Sequence, residues 1–573
     1  MKKWLLIFAL PSFLAAGCSS FEEVAEPSGV QPMLHEASVA APEEEVNPFS
    51  LEVMRRAVAD VASETARLRR ARGRAAAPEV ADEPLEATHR YVHFCPANRW
   101  QLDALLDRRD FQCFNFRLDQ PGELPEGETF VSSTPSETPD ELYAVLRADV
   151  ALPDTIAWEV LEEYYDPQAT ARGTSDEEWA EAVESRARTL SNSVIGTGDW
   201  GAGLPWTPSG RIEAWDDLAD YIPIEGVKVT IIPPLSAGGN LRMWTVYTDR
   251  NGAFRAPQQV EAGGKVTYSL SWDSDDWTMK SGAMSSAILR SDAISGAWNI
   301  RINKGDVVLG PATVFRAAYR YWYKMPNYGL SAPKFDRKVR FLCHDDDIVH
   351  YEAAGKHHTA AGLFRPSVKS DNDPDIELAC KRIVSRFFGT VSHEIGHAAH
   401  CSSNAKAFNK TTALVKESWA EFTNFIVTEF EYNDLGVELH RDSVTNDNQH
   451  MVDYVIPDDY NKQNWFLRQD LESIRLYTPM FIDLYDYFNQ YEWYSTYYLQ
   501  LHRRLEDVAM TPNDCLWGFS IADIEYIAFH SRNKSDVLGH VRRYALQRSF
   551  TNEDVDRYWE VYSKIAKESY DRY

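Results

Sequence analysis

Residues Val391-Ser392-His393-Glu394-Ile395-Gly396-His397 contain an H-E-x-x-H, and no other stretch of the chain constrains its fold as tightly. Two His at i and i+4 stand about 40° apart around a helix, so both imidazoles leave one face. In an extended strand they would lie far apart along the chain. The flanks Cys380–Phe388 and Ala398–His400 carry no proline and repeat apolar residues at helical spacing, so a long helix is expected. On such a face the two imidazoles can hold one zinc ion, with Glu394 beside them to take a proton from a water on that ion.

A second helical pattern runs from about Thr412 to Tyr432 and carries Lys416-Glu417-Ser418-Trp419-Ala420-Glu421-Phe422. Glu417 falls 20 residues after His397 (417 − 397), and Glu421 is one turn further on the same face. With the H-E-x-x-H, these residues resemble the gluzincin metallopeptidases, the thermolysin-like group, over about residues 375–435. The resemblance implies one catalytic Zn2+ held by His393, His397 and Glu417. It implies Glu394 as general base and Glu421 as the carboxylate that orients a ligand His, although the family often has Asp there. Metzincins need Gly at 400 and His at 403, where this chain has His400 and Ser403. The H-E-x-G-H form also resembles the enhancin-like mucin peptidases, which usually have Gln at the place of His400, and that alternative stays open. His400 shares the ligand face but lies about 10 Å along the axis from His393, so it is read as a supporting or surface residue. His440, His450 and Tyr477 are candidates for a second electrophile opposite the metal.

The formal net charge of −27 and pI near 5.0 argue against nucleic acid or an anionic membrane surface as partner, because both demand basic surface. With 573 residues, 44% hydrophobic and 12% aromatic, the chain can build two to four cores. Residues 1–17 read as an export signal, with Lys2-Lys3 before an apolar run from Trp4 to Phe13. The ending Leu14-Ala15-Ala16-Gly17-Cys18 resembles a bacterial lipobox and implies lipidation of Cys18, with Ala15 standing where Leu is common. Ser19 and Glu22-Glu23 resemble the sorting signals of outer-membrane and surface lipoproteins.

Residues 18–86 read as a tether with one helix, capped by Ser50 and running to Arg72 with a stripe of Leu51, Met54, Val58, Val61 and Leu68. Residues 87–206 are expected to form a small α/β module and linker: strands at Arg90–Phe94, Phe111–Phe116 and Tyr143–Leu152, helices at Gln101–Leu106 and Trp158–Tyr165, and a poorly patterned stretch from 170. There His89 and His93 are read as strand and surface residues. Gly196–Gly201 matches G-x-G-x-x-G, but Pro205 and Pro208 follow instead of a helix, which excludes a dinucleotide site. Residues 207–305, with alternating Val227, Val229 and Ile231 and an Asn251-Gly252 hairpin signal, resemble the carboxypeptidase regulatory-like, prealbumin-like β-sandwich. The patch Trp272-Asp273-Ser274-Asp275-Asp276-Trp277 is read as an exposed hairpin. Residues 306–573 are expected to form the metallopeptidase domain, with strands at Lys338–Cys343 and Thr359–Phe364 and a helical C-terminal subdomain. Asp371–Asp375 is read as a helix-capping loop, since it lacks the Gly and the twelfth-place Glu of a calcium loop.

Apart from Cys18, six Cys remain, an even number in an exported protein, and Cys95–Cys113 is the favoured pair. The expectation is an α+β multidomain protein: α/β module, β-sandwich, and a mainly helical gluzincin domain with a small sheet. It would be a monomeric zinc endopeptidase of extracellular protein or glycoprotein, anchored to the outer membrane through lipid alone. The rival reading is a surface adhesin or glycan-binding lipoprotein that has lost catalysis, and an intact Glu394 argues against it.

Overall fold

The computed structural model describes residues 47–71, 85–119, 128–132, 138–191, 205–233, 243–260, 264–282, 285–344, 348–351, 357–360, 362–365, 375–380, 383–437, 478–487 and 515–563, with Leu124, Asn489 and Asn513 singly. The signal, Cys18, the Gly196–Gly201 loop, and His440, His450 and Tyr477 lie outside these, as do residues 371–374 of the expected capping loop and much of the expected helical C-terminal subdomain. Among the described residues the protein is mixed α+β, with several small sheets.

At the N-terminal end, strand His89–Cys95 pairs antiparallel with Leu142–Arg147 on one side and Ala157–Tyr164 on the other. Alternation sorts its residues. Val92 and Phe94 pack with Leu142, Ala144 and the helix Arg99–Leu106 on one face. Tyr91 packs on the other, with Tyr164 and the helices Leu51–Ala71 and Thr174–Leu190. The first of those is the helix expected in the tether, and Val53, Met54 and Ala57 bury it against this module. The second was not anticipated. The expected helix at Trp158–Tyr165 is instead a strand: its Trp, Val and Tyr suit a pleated surface, and the neighbouring strand supplies the ladder. The expected strand at Phe111–Phe116 makes only one bridge, Phe114 to Tyr143.

Two further sheets face each other next. One orders its strands Val131–Ser132, Ile288–Ile294, Val266–Ser271, Lys228–Ile232 and Trp244–Tyr247. The second sets Ser209–Asp216 against Trp298–Ile302, Asp220–Pro223 and Ala253–Arg255. Tyr268 of the first sheet stacks on Trp298 of the second and meets the edge of Phe254. The Asn251-Gly252 turn forms, with Gly252 at φ 70°, but it passes the chain from one sheet to the other instead of closing a hairpin.

The last large sheet orders Trp277–Ser281, Val339–His344, Ile376–Ala379 and Gly362–Phe364. The first three strands run parallel and the last is antiparallel. The Trp272–Trp277 patch is therefore not an exposed hairpin. Both tryptophans are fully buried against Phe315, and Trp277 Nε1 donates to the Trp272 carbonyl. The strand expected at Thr359–Phe364 is split: His357–Ala360 pairs with Ile348–Tyr351, and Gly362–Phe364 joins the large sheet. Asp375, the one described residue of the expected capping loop, accepts from the two terminal Arg337 guanidinium nitrogens at 2.6 Å.

Helix Leu309–Tyr319 lies against this sheet and against Val384–Ser403, which packs along Ala413–Asp434. Helices Ile482–Tyr485, Ile521–His530, Lys534–Gln547 and Asn552–Ser563 complete the C-terminal part. Arg316, buried at the centre, donates to Asp216 at 2.8 Å and to the Tyr432 hydroxyl at 3.2 Å, joining the sandwich to two helices. No disulfide joins any of the six described Cys. Cys95 and Cys113 cannot pair as expected, because Cys95 leaves the strand on the side opposite Phe94, while Cys113 is buried on the Phe94 side. Among the described residues no helix is long and apolar enough to cross a membrane.

Candidate metal centre

The helix expected around the H-E-x-x-H is Val384–Ser403. Its start is held by the sandwich: Asp217 accepts from the Ser385 backbone N–H at 2.7 Å and from the Ser385 hydroxyl at 2.6 Å. A carboxylate at a helix N-terminus satisfies an orphan donor and complements the macrodipole. The second helix, Ala413–Asp434, returns antiparallel, as the pairs His397 with Glu417 and Phe388 with Tyr432 require. Gly396 makes the close crossing possible. A Cβ there would lie 2.1 Å from Thr423 Oγ1. Trp419 Nε1 donates to the Gly396 carbonyl and Thr423 Oγ1 to the Ser392 carbonyl, so side chains of the second helix satisfy the backbone of the first.

This crossing brings the ligand set together. Glu417 Oε2 lies 3.2 Å from His393 Nε2 and 3.3 Å from His397 Nε2. Glu421 Oε2 lies 3.3 Å from His393 Nδ1, the other ring nitrogen. His393, His397 and Glu417 are buried, and one ligand atom from each falls within 4.8 Å of the others. A tetrahedral ion with bonds of about 2.0–2.2 Å separates its ligands by roughly 3.3–3.5 Å, so this group can hold a metal ion. The charge also fits, with three carboxylates, Glu394, Glu417 and Glu421, around two imidazoles. Burial lowers the His393 pKa, but hydrogen bonds to Glu417 and Glu421 and the charges of Glu394 and Glu417 outweigh it and carry it to about 9.

Glu394 is buried on the same helix, one residue from His393. Strand Gly362–Phe364 runs over it and is, among the described residues, the edge of the large sheet. A Cβ at Gly362 would meet Glu394 Cγ at 2.7 Å, and the Phe364 ring stacks near that of His397 at 6.4 Å. His400 is no ligand and is not on the surface. It is buried, stacked on Phe529 at 4.7 Å, and burial, then the charges of His397, Lys416 and His530, push its pKa down to about 3. A cavity of about 610 Å³ bordered by Tyr247, Tyr319 and Tyr323 takes in none of the ligand residues.

The chain matches no family model, and no curated protein or solved structure is significantly similar to it. The site must therefore be judged on its own geometry.

Gly362, Phe364, Trp419 and Thr423 are site residues that sequence reasoning missed. Only Gly396 carried a usable signal for any of them: a glycine inside a helix costs about 1 kcal/mol against Ala, and close approach of another element repays it.

Proposed function

We propose that the chain is a zinc-dependent endopeptidase. The observation that carries this reading is Glu394, buried beside a His393–His397–Glu417 group and directly under a sheet edge. A binding module has no need of a carboxylate there. When bound, zinc would polarise the scissile carbonyl and acidify a water. Glu394, buried beside the group that would hold the ion, would take a proton from such a water and pass it to the leaving amine. Glu421 accepts a hydrogen bond from His393 Nδ1–H, which fixes the ring and would turn Nε2 toward the ion. The edge strand Gly362–Phe364 offers its backbone to an extended peptide, an arrangement that would lay the scissile bond over Glu394. The same reading takes protein or glycoprotein outside the cell as substrate, with the chain held at the membrane by lipid on Cys18.

The test is a library of peptides and glycoproteins incubated with the purified protein, with and without a zinc chelator. Cleavage that the chelator abolishes is expected. Glu394→Gln should retain stoichiometric zinc and lose hydrolysis. Activity within about tenfold of the parent would remove Glu394 as general base, and zinc-loaded parent protein that cleaves nothing would refute the reading as a whole.

A further inference from the structure

The N-terminal module carries a second constellation of metal-binding side chains, on the face of strand His89–Cys95 beyond the helices that cover Tyr91. His93 and Cys95 are two residues apart, so both project from one side of the strand. Glu141 immediately precedes the neighbouring strand Leu142–Arg147, whose Leu142 pairs with Phe94, and so stands across from Cys95. His93 Nε2 lies 3.2 Å from Glu141 Oε2 and 3.6 Å from Cys95 Sγ. One ligand atom from each of the three falls within 4.8 Å of the others.

These separations are informative. A tetrahedral zinc with Zn–N near 2.05 Å and Zn–S near 2.3 Å holds its nitrogen and sulfur about 3.5 Å apart, and its nitrogen and a carboxylate oxygen about 3.3 Å apart. The observed 3.2 Å nitrogen–oxygen separation matches that span, while Cys95 Sγ stands 3.6 Å from Nε2 and 3.8 Å from Nδ1, beside the ring, and turns about its χ1 to meet an ion on Nε2. The imidazole is also held in place. Tyr143 stacks on it with centroids 4.6 Å apart and planes 6° from parallel, as a ring awaiting a ligand should be held. On the other neighbouring strand Glu159 pairs with His93, on the same face, near enough for its charge to act on the Cys95 thiol.

We propose that His93, Cys95 and Glu141 form a second metal site, selective for a late divalent transition metal such as zinc, with Glu159 or water completing the coordination. Imidazole and thiolate together favour zinc over calcium or magnesium. The ion would tie strand His89–Cys95 to the start of Leu142–Arg147, and to Ala157–Tyr164 as well where Glu159 completes the coordination. The site shares no residue with the buried centre, so its fate and that of the peptidase reading are separable.

The experiment uses the purified full chain and the metals alone. Zinc content should be two per chain in the parent, one in Glu417→Ala, and none in Glu417→Ala with Cys95→Ser. With cobalt as probe, Glu417→Ala should show a near-ultraviolet thiolate-to-cobalt charge-transfer band that Cys95→Ser removes. His93→Ala should weaken this binding about 10–100-fold. A measurement on the unmutated chain guards against misfolded variants: zinc should slow alkylation of Cys95 at least about tenfold, because the bound thiolate is no longer a free nucleophile. A band that survives Cys95→Ser, a parent chain that holds one zinc which Glu417→Ala loses, or an unchanged alkylation rate would each leave only an exposed hydrogen-bonded trio and overturn the proposal.

Discussion

Replacing Gly396 by Ala tests whether the close helix crossing sets the metal geometry. The added methyl would sit 2.1 Å from Thr423 Oγ1 and 3.1 Å from both Thr423 Cβ and Cγ2. Ordinary contact needs about 3.4–4 Å, so the helices must part by roughly 1 Å. That movement stretches the His393–Glu417 and His397–Glu417 separations of 3.2 and 3.3 Å beyond the roughly 3.3–3.5 Å that a tetrahedral ion spans. Two terms oppose each other in stability. Ala gains about 1 kcal/mol of helix propensity. Overpacking costs about 1–3 kcal/mol. The metal-free protein should therefore lose about 0–2 kcal/mol, while zinc affinity should fall roughly 10–100-fold, as for other disturbances of ligand support. Thermal unfolding of the metal-free chain and zinc competition with a chelator read the two quantities separately. Adding Thr423→Ala removes the Oγ1 and Cγ2 obstacles and should restore most of the affinity, a coupling that a double-mutant cycle isolates. Zinc affinity within about twofold of the parent in Gly396→Ala would refute the reasoning.

The remaining expectations are briefer. Glu417→Ala should lose zinc from the buried centre, while Glu421→Ala should keep it with about 10–100-fold weaker affinity; the reverse pattern in metal analysis would exchange their roles. Asp216→Asn leaves the Arg316 charge buried against Tyr432 without its carboxylate, and should cost about 3 kcal/mol in denaturant unfolding. A loss under about 1 kcal/mol would mean that Glu431, 3.3 Å from Arg316 Nε, carries the charge alone. Cys18→Ser should move the protein from the membrane pellet to the soluble fraction, and retention in the pellet would dismiss the lipid anchor.

What could be read from the chain was what depends on neighbours in sequence. His393 and His397 are one turn apart, so a helix alone makes them converge, and Ser50, at the start of Leu51–Ala71, announced that helix. Glu417 needed more: a loop of arbitrary geometry separates it from His397, and only the family resemblance singled it out. Long-range pairing accounts for most of the misreadings. Trp158, Leu161 and Tyr165 keep a helical spacing that a strand tolerates equally, and only the presence of His89–Cys95 decides between them. Trp277 looks like a surface aromatic among acids until Val339–His344, far along the chain, pairs beside it. The position of Gly362 over Glu394 was hidden for the same reason, since the strand that carries it belongs to a sheet assembled from four separated segments.

Strand Trp277–Ser281 has a consequence for inheritance. It is threaded between Val266–Ser271 and Ile288–Ile294, which pair with each other in the sandwich, yet it forms the first row of the sheet that runs under the metal centre. A recombination joint near residue 306 would look like a clean cut between modules. It would leave Val339–His344, apolar and buried through most of its length, as a bare edge open to any passing chain. The metal half could not be borrowed by another protein without residues 277–281, and these could not travel without the two sandwich strands that flank them. The boundary near residue 306 is therefore one of sequence and not of folding.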